Sequence, residues 1–330
     1  MIQRKSEIEM RYRSLLQKAV RRGHSDLVLA TSALIESLSA RERKWYRTRT
    51  AIIAFEECWP LGSELIFNRK FYSKVAALIK VTRSKKCRGA AGLGYLTNAY
   101  CEGDAKVLNG TSDDKHIKIL ANAVKRPDDF WQWIETHEKS EKQAAIIENA
   151  VRFKHEGSHR DKAVIQAAAY LAATKTLPPP IKQPPPEGAF PYWIVFDKHT
   201  PEGKLVLRDV ARDLHIPAPQ LEWSFFYFEG AQTNGEIPSK WWDRICRHHF
   251  DKVQLPIEEA HLLWEPAKPQ IIEALADYGR DLHKELYRWK LSNLKQIEAL
   301  KRQVELFIEH FEKVHRDQMK LFAKDQLDNS

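Results

Sequence analysis

Over the first sixty positions, apolar residues recur at helical intervals. Met10, Leu15, Leu16, Ala19 and Val20 form one stripe and predict an amphipathic helix. Gly23 stops it, and Ser25 reads as the N-cap of a second helix over about 26–38, carried by Leu27, Leu29, Ala30, Ala33, Leu34 and Leu38. Ser39 and Glu42 spell the S-x-x-E capping box of a third helix, from Ala40 to about Cys58. Pro60 and Gly62 end it, since proline lacks an amide hydrogen and opposes helix in the residue before it. A fourth helix is predicted over about 63–82, and others over 113–125, 128–153 and 159–175. The last of these is nearly all small or apolar and is expected to be buried on most sides.

Six prolines in PPPIKQPPP (178–186) favour polyproline II and mark the clearest boundary in the chain. Beyond it lies an aromatic-rich stretch with short helices expected around 203–214 and 239–249. YWIVF (192–196) is strand-like but has no evident pairing partner. From about Pro266 to Asp325 the pattern predicts a long helix or an antiparallel helical hairpin. Within it Ile297, Leu300, Val304, Phe307, Phe311, Val314, Gln318 and Leu321 are spaced 3-4-3-4-3-4-3, an a/d seam. Leu282, Leu286 and Trp289 fit that register only after a shift of one residue, which predicts a break near Asn293.

The expected fold is all-α, a multi-helix bundle with a long C-terminal helix or coiled coil. Its parts are a basic helical domain (1–177), a Pro-rich linker (178–188), an aromatic-rich helical or irregular segment packing on the first domain (189–265), the long helix or hairpin (266–325) and a tail (326–330). Ile297, Leu300, Val304, Phe307, Phe311 and Val314 must be buried somewhere. A homo-oligomer is the expected answer, and packing on the chain's own helices is the alternative.

Composition narrows the class. With 330 residues, 43% of them hydrophobic, the chain can build a core. The four cysteines show no CxxC spacing and the start shows no secretory leader, so a reducing cytoplasm is expected. No apolar run approaches the ~18–20 residues of a membrane span. The net charge of +9 is uneven: residues 1–90 hold 20 Lys/Arg against 8 Asp/Glu, a surplus of +12, and the other 240 residues sum to −3. An anionic partner is therefore expected at the N-terminal end.

The candidate DNA contacts are Arg21 and Arg22 at the end of the first helix, Arg41, Arg43, Lys44, Arg47 and Arg49 on the third, and the run Arg83, Lys85, Lys86 and Arg88. Cations at this density bind phosphates with counterion release, and the interleaved Trp45 and Tyr46 suit stacking on unpaired bases. The alternative is a solvated helix face with Trp45 in the core.

Signals for chemistry are weaker. The P-loop pattern GxxxxGK[ST] is missing, and the cluster Gly89, Gly92 and Gly94 lacks both the lysine and a preceding strand, as loop or packing glycines do. Cys246, His248, His249 and His261 lack paired ligand spacing and read as ordinary helix residues, so neither metal nor cofactor is expected. Asp197 and His199 in FDKHT offer a carboxylate and an imidazole without a recognisable nucleophile. A turn in which Asp197 or Thr200 caps the next helix is the simpler reading, and no catalytic residue is assigned.

LLQKAVRRGHSDLVLATSALIES (15–37) and RKWYRTRTAIIAFEECWPLG (43–62) resemble the C-terminal helical domain of the RarA/MgsA family, replication-associated recombination ATPases of the clamp-loader clade. Trp45, Arg47, Ile53, Ala54 and Glu56 follow the family's W-R-R-L-x-x-I-A-x-E-D-I-G helix, while Glu57, Cys58 and Trp59 replace its last part. DKAVIQAAAYLAATK resembles a later alanine-rich helix, and YWIVFDKHTPEGK with FFYFEGAQ resembles the late segment of shortened relatives on mobile elements. The resemblance spans about 12–62 and 160–235, omits the ATPase core, and implies an all-helical, self-associating, DNA-linked domain.

Near the end, QMKLF is similar to the Q-L-x-L-F peptide that holds the bacterial sliding clamp, with Gln318, Met319, Leu321 and Phe322 as candidate contacts. Gln318 and Leu321 also continue the heptad seam, where they would serve helix packing instead. The sequence thus points to a non-enzymatic DNA-binding and oligomerisation protein of replication or recombination. Its rivals are a coiled-coil adaptor with a basic surface and a nucleic-acid enzyme using Asp197 and His199.

Overall fold

The computed structural model describes residues 2–64, 70–84, 182, 184–232 and 249–328, and among these there is no β-strand. The helices predicted over 113–125, 128–153 and 159–175, and most of that at 239–249, lie outside the described residues, as does the cluster of Gly89, Gly92 and Gly94.

Helix α1 (Ile2–Arg21) buries Tyr12, Leu15, Leu16, Ala19 and Val20. It ends as glycine chemistry dictates: Gly23 adopts φ 83°, its amide donates to the Val20 carbonyl and the His24 amide to that of Ala19, closing the helix in a Schellman turn. Helix α2 (Ser25–Ser37) starts one residue earlier than the Ser25 cap implies, with His24 at the cap position and no side-chain capping bond. Every residue from Val28 to Ile35 is buried, so α2 is the central rod of the bundle. Around it pack α1, α3 (Ala40–Glu64), α4 (Phe71–Thr82) and the two C-terminal helices.

Half of the expected capping box forms at α3. The Glu42 amide donates to Ser39 Oγ at 3.3 Å, but the Glu42 carboxylate is buried against Arg13 in a bidentate pair. The Arg13 guanidinium in turn lies over the Trp45 ring, 4.9 Å from its centre. Trp45 is only half-buried. Tyr46 is the core residue, and its hydroxyl donates to Ser32 Oγ at 3.0 Å. As expected, the regular helix stops at Cys58, whose φ −157° and ψ 75° lie outside helical geometry two residues before Pro60, and a short second helical stretch follows the kink to Glu64.

Beyond the Pro-rich stretch the chain returns to the same core. Tyr192–Val195 form a 3-10 turn wedged between α1 and a later helix, where a strand-like pattern stood in the sequence. Thr200 caps α5 (Pro201–Asp213), its hydroxyl accepting the Gly203 amide at 3.2 Å. Helix α6 (Ala218–Phe225) runs into a π turn, Phe226–Gly230. Two glycines permit this docking. A Cβ on Gly203 would stand 2.2 Å from the Asp197 carbonyl, and one on Gly279 would stand 2.9 Å from the Trp193 amide.

α7 (Ala260–Ser292) and α8 (Leu294–Asp328) complete the bundle. Pro266 and Pro269 sit inside α7 on its exposed side, while Ala260, Trp264, Ala267, Ile271 and Leu275 hold the opposite face in the core. At Asn293 (φ −125°, ψ 22°) the helix breaks where the heptad register shifts; Asn293 Nδ2 donates to the Trp289 carbonyl at 2.8 Å, and its own carbonyl accepts the Ile297 amide. The two helices join end to end across this break and barely touch, so the hairpin alternative does not hold.

The a/d seam is covered within the chain by α4 and α2. Leu300, Val304 and Ile308 are buried, Ile297 and Phe307 pack against the same core, the Phe307 ring meets Tyr72 at 5.7 Å, and Lys80 lies 4.5 Å over Phe311. The described part of the seam is therefore bundle core and not the free face an oligomer contact needs; the side chain of Val314 lies outside the described residues.

A buried ion pair joins the two halves of the chain. Lys18 Nζ donates to Asp197 Oδ2 at 2.5 Å and to Ser14 Oγ at 2.9 Å, while Asp197 Oδ1 accepts the His199 amide at 2.8 Å. Burial alone raises the Asp197 carboxyl, but the Lys18 ammonium and the bonds from His199 outweigh it and hold the group well below its ordinary value.

Lys18→Met and Asp197→Ala are each expected to lower the unfolding free energy by about 3–5 kcal/mol, because each strands a buried charge. The double substitution should lose less than the sum, as denaturant titration of the three variants will measure. Since the native carboxyl titrates below its unfolded value of 3.8, the stabilisation linked to the Asp197 carboxylate is present above that pH and is lost as pH falls beneath it. Wild-type stability should therefore drop more steeply in acid than that of Asp197→Ala. Leu300→Ala should cost about 2–5 kcal/mol, with an unfolding midpoint independent of protein concentration, because the seam closes on its own chain.

Candidate functional site

Arg11, Ser14, Lys18 and Arg21 of α1 face inward along one polar stripe. Arg11 pairs with Glu202 (Nε to Oε1, 2.6 Å), Ser14 Oγ donates to the Val195 carbonyl at 2.7 Å, and Lys18 holds Asp197. Arg21 donates to Glu57 at 2.8 Å and to the Gly230 carbonyl at 2.6 Å; Arg22 donates to the Glu229 carbonyl at 2.8 Å, and its guanidinium approaches the Glu229 carboxylate at 3.4 Å. The spacing 11-14-18-21 repeats the helical period, so this face zips α1 to residues 195–230. Lys268 adds a second cation to Glu229 at 2.8 Å. Arg21 and Arg22, read from the sequence as DNA contacts, are thus engaged with buried carboxylates and backbone of the same chain.

The α3 cations divide. Arg43 donates to the Leu38 carbonyl at 2.8 Å and closes the C-terminal end of α2, and Arg49 meets Glu56 at 3.4 Å. Arg41, Lys44 and Arg47 are exposed on successive turns of α3; Arg47 reaches Glu36 at 3.3 Å with 54% of its side chain still in solvent. Among the described residues no side chain pairs with Arg41 or Lys44. Arg83 is exposed at the end of α4, and Lys85, Lys86 and Arg88 lie outside the described residues.

Asp197 and His199 form a turn and not an open acid–base pair. The carboxylate is buried on Lys18, whereas the His199 side chain is 68% exposed with Nδ1 3.1 Å from Asp197 Oδ1. His249 stacks on Trp223 with centroids 3.7 Å apart, and His261 is exposed beside the Glu258 carbonyl. Cys246 and His248 lie outside the described residues, among which no cluster of His, Cys, Asp or Glu suits a metal. Gln318, Met319, Leu321 and Phe322 fall on helical backbone within α8, and their side chains lie outside the described residues. No described helix is long and apolar enough to cross a membrane.

The structure also assembles a cleft that no sequence motif signals. A cavity of about 880 Å3 opens between the first turn of α2, the last turn of α4, Lys182 with residues 184–192, and the α7–α8 pair. Its basic lining is Lys80, Arg83, Lys182 and Lys290, against the carboxylates of Asp26 and Glu312, of which Glu312 pairs with Lys80 at 3.5 Å. An isolated bridge between Ser84 and Lys182 sets Lys182 beside Arg83. On the apolar side stand Phe190 and Tyr192; the Tyr192 ring stacks on His283 with centroids 4.5 Å apart, and the His24 ring meets Phe190 edge-on. Burial, reinforced by Arg22, holds the His24 imidazole below its ordinary range and so favours its neutral form.

Comparison with protein-family models, with curated proteins and with solved structures finds no match for this chain.

Proposed function

We propose that the protein is a non-enzymatic DNA-binding protein acting in replication or recombination, and that it grips the phosphate backbone through the outer face of α3. The observation that carries this reading is the distribution of cations left after internal pairing. Arg41, Lys44 and Arg47 project on successive turns of one helix, and Arg41 and Lys44 have no carboxylate partner among the described residues. A stripe of this kind suits sequence-independent contact with phosphates, which releases counterions and is weakened by salt. The half-buried Trp45 is braced by Arg13, which keeps the helix surface rigid beneath the stripe. Trp45, Arg47, Ile53, Ala54 and Glu56, the positions that resemble the RarA/MgsA family, lie on this same helix. The role assigned is binding, because Asp197, the one carboxylate set beside a histidine in the sequence motif, is the buried partner of Lys18.

The test is the triple variant Arg41→Glu, Lys44→Glu and Arg47→Glu, with Arg43 left in place because it caps α2. Fluorescence anisotropy on duplex and single-stranded DNA should show binding weakened about tenfold or more, and the slope of log K against log salt should fall by about 3. Affinity and salt slope equal to wild type would refute the assignment.

A further inference from the structure

The cleft at the opposite end of α2 has a different character from the α3 stripe, and the geometry points to a binding site for a nucleotide, its phosphates held by Arg83, Lys182 and Lys290 and its base against the Phe190 and Tyr192 wall. Four lines of structure converge there. The first is charge: four Lys/Arg line the cavity against two carboxylates, and one of those, Glu312, is already matched by Lys80. Arg83, Lys182 and Lys290 have no ion-pair partner among the described residues, whereas Arg11, Lys18, Arg21 and Arg22 each meet a carboxylate of the same chain. Such convergence of like charge is unfavourable unless an anion joins it.

The second is the end of α2. Its first-turn residues Ser25, Asp26 and Leu27 line the cavity; the Ser25 amide donates to the Gly23 carbonyl at 3.1 Å, and the cap residue His24 contributes no side-chain acceptor to the amides of Asp26 and Leu27. Amides at a helix start add partial positive charge to that of the cations. The third is the apolar wall: buried Phe190 meets Tyr192 edge-to-face, and Tyr192 stacks on the exposed His283 ring beside the prolines of 184–186, which gives a planar base an aromatic and apolar surface to lie against. The fourth is size: about 880 Å3 lies in the ordinary range for pockets that take compact organic ligands. Simple phosphate would leave the aromatic wall unused, and an apolar ligand would leave the cations unmatched.

The site is separate from the proposed DNA face. The cleft lies at the first turn of α2, whereas α3 begins just beyond its last, and a helix of 13 residues spans about 20 Å. The shared chemistry, a phosphorylated nucleoside, has two sources: a free nucleotide or the phosphorylated end of a nucleic-acid strand.

Isothermal titration of the full chain with ADP, GDP, CDP and UDP tests the assignment. At least one should bind saturably at a single site, with its nucleoside and inorganic pyrophosphate each weaker by about tenfold or more. Arg83→Glu with Lys182→Glu and Lys290→Glu should weaken it by about tenfold or more at unchanged melting temperature, whereas Arg41→Glu with Lys44→Glu and Arg47→Glu should leave it intact. Should the triple reversal unfold the chain, Arg83→Gln with Lys290→Gln serves in its place. Competition by a 5′-phosphorylated oligonucleotide, but not by its 5′-hydroxyl form, would assign the strand end as the ligand; no competition by either assigns the free nucleotide. No saturable binding of any of the four diphosphates, or wild-type binding by a folded cleft variant, overturns the site. Loss of DNA binding in the α3 variant with nucleotide binding retained keeps the two proposals distinct.

Discussion

The Lys18–Asp197 ion pair sets the register in which the two halves of this chain meet. Net stabilisation from a buried pair is modest, because desolvating two charges offsets much of their attraction, but a displaced partner is heavily penalised. With Lys18 on α1, the observed placement of the turn at Asp197 satisfies both groups. Arg11, Ser14, Arg21 and Arg22 then find Glu202, the Val195 carbonyl, the Gly230 carbonyl and Glu229 at matching steps along the helix. Once residues 190–200 are seated, Trp193 approaches Gly279 closely enough to exclude a Cβ, which positions α7. Phe190 and Tyr192, carried on the same segment, become the wall of the cleft.

This arrangement changes the meaning of the charge asymmetry. The surplus of +12 over the first 90 residues is in part internal complementarity, because Arg11, Lys18 and Arg21 of α1 and Arg22 just after it meet acidic groups or carbonyls contributed by residues 195–230. Among the described residues, the cations open to an external anion include three exposed positions on α3 and the cations that line the cleft. Counting charge along the chain overstates the first set and finds only Arg83 of the second, since Lys182 and Lys290 are distant from it in sequence.

Similar reasoning applies to the hydrophobic surface. Burial of Leu300, Val304 and Ile308 follows from apolar transfer whichever surface covers them. Here α4 supplies that surface. The large apolar side chains that stay exposed near the helix break are Tyr287, Leu291 and Leu294, at successive turns on either side of Asn293. These lie outside the heptad seam.

What the sequence by itself determined is local. The stop at Gly23, the Ser39 bond at the start of α3, the Thr200 cap and the break at Asn293 each depend on residues within about one helical turn, where backbone geometry and side-chain reach leave few options. The apolar periods likewise settled that the described chain is helical and which faces are buried. Strand-like YWIVF became a 3-10 turn because it is gripped by α1 and α7, an environment that no local pattern encodes. Only the tertiary structure decided which cations are paired, whether the seam closes on its own chain, and that the first turn of α2, the end of α4, Lys182 and Lys290 share one cavity. Those outcomes depend on contacts between residues far apart in sequence, whose pairing is set by how whole helices pack and not by the preferences of any one segment.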